Sequence, residues 1–118
     1  MVFLNDSEVQ FEAQYVEPTT DAVGGVLEDL SHTSVYYKVG NGSAVKSHNV
    51  PATSPSGGGN ITTNVVVPVA VGQKVTVAFW ITATSLAGFE GGETERVELV
   101  VDRKVKVAPG VPTNFTVA

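Results

Sequence analysis

Apolar side chains recur at every second position along much of this chain. In Val9-Gln10-Phe11-Glu12-Ala13-Gln14-Tyr15 the odd residues are apolar or aromatic and the even ones polar. Successive side chains of a strand point to opposite faces, so this run reads as a strand with one buried side. Lys74 to Ala83 is the clearest case, with Val75, Val77, Phe79, Ile81 and Ala83 on one face and Thr76, Ala78, Trp80 and Thr82 on the other. A helix would scatter these residues around its circumference.

Four further segments read as strands: Ser34 to Val39, Ala44 to Val50, Ile61 to Val71, and Thr94 to Val101 with Val97 and Leu99 inward and Arg96 and Glu98 outward. Turn chemistry separates them. Pro18-Thr19-Thr20-Asp21 ends the first strand, Asn41-Gly42 tolerates the positive φ of a tight turn, and Gly72-Gln73 marks another. Ala22 to Leu30 reads as a long loop whose Leu27 and Leu30 dip into the core, and Gly57-Gly58-Gly59 as a mobile turn. Short strands at this spacing predict an all-β protein, a two-sheet antiparallel β-sandwich. The expected division is a sandwich over residues 6–102 and a C-terminal extension over 103–118. A length of 118 residues suits one core. With no cysteine, that core has to hold by apolar burial without disulfides.

Charge narrows the partners. A formal net charge of -5 argues against DNA or RNA, whose phosphates call for a basic face. Arg103, Lys104 and Lys106 are the only basic cluster and read as a soluble linker. The start does not read as a signal peptide, and no stretch has the ~20 apolar residues of a membrane helix. No membrane partner is expected.

The search for chemistry returns little. His32 and His48 are isolated, without a nucleophile elbow or a metal-ligand set, and Gly57 to Gly59 is not followed by Lys-Ser/Thr. No enzyme, cofactor or metal is expected. Asn-x-Ser/Thr triplets at Asn5, Asn41, Asn60 and Asn114 carry little weight in so Ser/Thr-rich a chain. Trp80 with Tyr36 would make a sugar platform if both faced solvent, but a large aromatic more often lies under a loop.

The order Tyr15-Val-Glu-Pro18, Asp21 to Leu30 ahead of Val35-Tyr-Tyr37, then Gly72, Val77 to Ala83 and Ala87-Gly88 resembles a fibronectin type III domain over residues 8–101. The resemblance implies a seven-stranded sandwich, usually without a disulfide. Tyr15 stands where that family places a buried tryptophan, and Val77 where it often has a tyrosine. The resemblance also places the loop of Asp21, Glu28 and Asp29 at the same end as that of Glu90, Glu93 and Glu95. The result is an acidic rim, read as solvated by default.

A second departure concerns the ends. The family's first strand resembles Pro109-Gly-Val-Pro-Thr-Asn-Phe-Thr-Val117, which here comes last. Three readings stand: the segment, through Phe115 and Val117, pairs with the edge of a neighbouring copy; it opens a following domain; or residues 1–5 supply the missing edge. The expected function is a non-enzymatic structural module in a virion, as capsid decoration, fibre or tail component, with capsid or tail proteins as partners. A start at Met1, the lack of an export signal and the lack of cysteine point that way. The alternative is an extracellular adhesion or carbohydrate-binding module.

Overall fold

The computed structural model describes residues 1–104 and 109–118. Seven strands follow in chain order: β1 (Val2–Phe3), β2 (Glu8–Val16), β3 (Leu30–Val39), β4 (Val45–Pro51), β5 (Asn60–Pro68), β6 (Lys74–Ser85) and β7 (Val97–Asp102). There is no helix among the described residues. The strands form two antiparallel sheets, β1-β2-β5 and β4-β3-β6-β7. Lys106, part of the basic cluster, falls outside the described residues.

The two sheets meet on the residues that the alternation marks. Val9, Phe11, Val65 and Val67 from the first sheet pack with Val35, Val77 and Val101 from the second, and Val69 joins them. Phe11 apart, this cluster is all valine, a side chain stiff at χ1 that suits a pleated surface. Phe11 meets Phe79 edge-on across the gap, ring centroids 4.8 Å apart. Leu27 and Leu30 are buried, as expected, but Leu30 opens β3 and only Leu27 dips inward from the loop.

β3 starts four residues before the expected Ser34 and β5 stops three before the expected Val71, and two further strands differ from the sequence reading. β1 was not foreseen: Val2 and Phe3 pair with Gln10 and Val9, so residues 1–5 do supply part of the edge, but only its first rungs. β7 starts later than Thr94, which meets Ile81 with one backbone and one side-chain bond: its N–H reaches the Ile81 carbonyl and its Oγ1 accepts from the Ile81 N–H.

Arg103, expected in a solvated linker, is buried beside the β1–β2 turn. Its guanidinium donates to the carbonyls of Val69 at 2.8 Å, Asn5 at 2.7 Å and Glu8 at 3.3 Å, and lies over the Phe3 ring. Backbone bonds from Arg103 N–H to Gln73 and from Gly72 N–H to Arg103 fix it further. Buried guanidinium is tolerated because its fork of donors is met by acceptors.

The Gly57–Gly59 turn, expected to be mobile, is held by Glu17. This carboxylate accepts from the Thr53 N–H at 3.0 Å, the Gly59 N–H at 3.0 Å and the Thr53 hydroxyl. The Glu17 N–H in turn donates to the Gly59 carbonyl. Glycine is needed here for space: a Cβ on Gly57 would meet the Pro18 carbonyl oxygen at 1.9 Å, at a φ of +68°.

Candidate interaction surface

The sandwich has two long sides, and they are finished differently. On the β4/β5 side, His48 Nε2 lies 2.7 Å from Thr63 Oγ1 and Nδ1 lies 2.8 Å from Ser47 Oγ, so one histidine ties the sheets together. His32 has only Ser31 as a side-chain partner, at 3.0 Å.

On the β2/β7 side the gap is open. β1 pairs with Val9 and Gln10, so among the described residues Glu12 to Val16 have no strand on their outer side, and β7 ends its own sheet. Between these two edges lies a slot of about 420 Å³. Ala13 and Tyr15 form one wall, Val97 and Leu99 the other, and Phe79 and Ile81 the floor. Val97 and Leu99 face this slot but stay 58% and 44% exposed, because nothing among the described residues covers them. Tyr15 keeps its hydroxyl on Thr33 Oγ1 and has its pKa raised, by burial first.

Outward from β6 the situation is reversed. Trp80, on the face opposite Phe79 and Ile81, is only 5% exposed. Tyr36 stacks on it at 5.7 Å and 3°, and the Arg96 guanidinium lies 3.9 Å from its ring centroid. Arg96 is itself held by Glu93 at 2.8 Å. Both faces of the indole are therefore covered, and no sugar platform is left on Trp80.

The acidic residues divide among several tasks. Asp21, Asp29 and Glu90 line one cleft of about 490 Å³ between their loops, so these loops do emerge at one end. The carboxylates of Asp21 and Glu90 are engaged locally. Asp21 accepts from the N–H groups of Val23 and Gly25. Glu90 accepts from the Tyr36 hydroxyl at 2.6 Å and Thr82 Oγ1 at 3.0 Å, and these bonds hold its carboxyl below the usual range. The same bond raises the Tyr36 pKa. Glu93 turns to Arg96, and Glu28 is exposed and does not line the cleft. Among the described residues no three carboxylates or histidines converge on a point that a metal ion would take.

Glu17 went unnoticed in the sequence. It is 2% exposed; burial works against its charged form, and the bonds from Thr53 and Gly59 outweigh that, holding its pKa below the ordinary carboxylate value. Nothing adjacent in sequence betrays it, since its partners are 36 and 42 residues away.

Phe115 and Val117 are 87% and 82% exposed in the C-terminal tail. No helix of the described residues is long and apolar enough to cross a membrane. No family model, curated protein or solved structure matches this chain.

Proposed function

We propose that this chain is a non-enzymatic structural module of the fibronectin type III kind, working through protein-protein contacts as a virion component. The observation that carries the contact reading is the apolar slot between β2 and β7, where two unpaired strand edges flank half-buried Phe79 and Ile81. Unpaired edges beside apolar surface are templates for another polypeptide. The strand order β1-β2-β5 against β4-β3-β6-β7 supports the fibronectin-like reading.

The non-enzymatic reading is supported by how the carboxylates of buried Glu17 and exposed Glu90 are used. Glu17 and Glu90 accept hydrogen bonds that fix loops, and their pKa values move down, away from the raised values a general acid needs. The virion placement is supported by the absence of cysteine, which suits assembly in a reducing compartment.

The test is incorporation. Density-purified particles from producing cells should hold the chain in fixed stoichiometry by mass spectrometry, and Leu99→Asp should release it while its circular-dichroism spectrum stays unchanged. Recovery only in the soluble fraction would rule out the virion placement. Retention of the Leu99→Asp variant at full stoichiometry would rule out the slot as the contact.

A further inference from the structure

We infer that the slot between β2 and β7 is filled by residues 114–118 of a second copy of this chain, docked as an additional strand antiparallel to β2. The inference rests on the contact reading above and names its partner.

Register supports it. β1 runs antiparallel to β2 with Val2 opposite Gln10 and Phe3 opposite Val9, which places Met1 opposite Phe11. The rungs beyond, Glu12 to Val16, have no outer neighbour among the described residues. A donor strand antiparallel to β2 with Val117 opposite Ala13 sets Thr116 opposite Gln14, Phe115 opposite Tyr15 and Asn114 opposite Val16. Residues directly opposite in an antiparallel pair point to the same face. Ala13 and Tyr15 point inward, whereas Glu12, Gln14 and Val16 are exposed. In this register Phe115 and Val117 enter the slot over Phe79 and Ile81, and the polar Asn114 and Thr116 face water. A shift by one residue would reverse every side chain.

Chemistry and direction agree with it. Residues 109–118 carry no charged side chain, so no donor side chain sets a charge beside Glu12 and Glu95 at the slot's margin. The tail's apolar groups are exposed on their own copy, and the slot's are half-covered on theirs. A copy's own tail leaves from the wrong end. β7 finishes at Asp102, and Arg103 is fastened to Asn5 and Glu8, beside the β1–β2 turn. A strand antiparallel to β2 has to come in past Val16, at the far end. A tail folding straight back would run parallel to β2. Asn114 stands at φ 59° in the free tail and turns extended on docking.

Because donor tail and acceptor slot are different surfaces, the contact is heterologous, and an assembly that does not close on itself keeps one tail and one slot free. The inferred product is such an open row of copies.

Light scattering on the full chain tests this directly. The mass should climb with concentration without reaching a plateau at a closed ring, and the full-chain Phe115→Asp variant, altered only at an exposed tail position, should remain a monomer. A mass that stays monomeric throughout, or a rise that Phe115→Asp leaves intact, would overturn the inference. Register is read by oxidising a mixture of two full-chain variants, Ala13→Cys and Val117→Cys. Opposed inward cysteines lie within disulfide reach, so a cross-linked pair of chains is expected. Substituting Glu12→Cys for Ala13→Cys should abolish it. Cross-linking within a single Ala13→Cys/Val117→Cys chain at high dilution would place the tail in its own slot and overturn the inference. None of these negative outcomes touches incorporation into particles, so the broader proposal stands or falls separately.

Discussion

The two ends of β6 make a controlled comparison. At its first half, Val77 points inward and is fully buried in one cluster with Val9, Val67 and Val101. At its second half, Phe79 and Ile81 point inward along the same face and are only half-buried, while Trp80 and Thr82, pointing away, are buried under the loop that carries Glu90 and Arg96. One alternating pattern thus yields opposite burial within a single strand. Alternation decides which side chains share a face; whether a face is dry depends on what lies across it.

The largest test concerns the structure just beyond the open half, where Glu17 pins the glycine turn. Glu17→Ala should cost about 3 kcal/mol, since it strands the Gly59 and Thr53 donors in a buried site. Urea denaturation measures that loss. Amide exchange should quicken first at Ala13 to Val16 and leave Val9 and Val77 protected to the global limit. Equal acceleration at both halves would mean that they unfold as one unit.

The same residue predicts a pH dependence. Its folded pKa lies below the unfolded carboxylate value of about 4.3, so its contribution is complete above that value. As the pH falls below about 4.3, the unfolded chain takes up the proton first, and the contribution is lost through the folded pKa. The stability gap between the wild type and Glu17→Gln should therefore be constant near neutrality and narrow in acid. A gap that widens in acid would reverse the assigned sign.

Next comes a matched pair on one face. Val77→Ala should cost about 2.5 kcal/mol, while Ile81→Ala, which removes a larger group, should cost only about 1 kcal/mol in dilute protein because water already reaches it. If a neighbour's tail fills the slot, the cost at Ile81 should rise with protein concentration and that at Val77 should not. Equal costs in dilute monomer would mean the slot is closed there.

The smallest effect is optical. Trp80 is the only tryptophan, so Arg96→Ala should raise its quenching by acrylamide with little change in the unfolding midpoint. Unchanged quenching would show that Tyr36 and the backbone of the loop cover the indole without help from Arg96.

Most strands were legible because their apolar residues alternate and turn residues interrupt them. Val9 to Tyr15 and Lys74 to Ala83 appear with small shifts of boundary. β1 was not legible, since Met1-Val2-Phe3-Leu4 is uniformly apolar and too short to alternate. Val97 and Leu99 lie on the expected side, yet their exposure depends on what lies across the slot, which no local pattern records. Of the surface residues singled out in advance, Asp21, Asp29 and Glu90 do share a cleft, whereas Glu93 and Trp80 belong to the packing of one loop. Glu17 and Arg103 looked like ordinary surface charges. What distinguishes them is backbone groups brought alongside by the finished fold, at separations from which sequence spacing carries no signal.

The setting of Arg103 also has a mechanical meaning. Tension on the tail reaches the domain at a residue whose guanidinium grips Asn5, Glu8 and Val69 while its backbone holds Gly72 and Gln73. The pull is shared among several bonds that must yield together before β7 can peel from β6. A row of such domains would transmit force along its length with its last strands still in place.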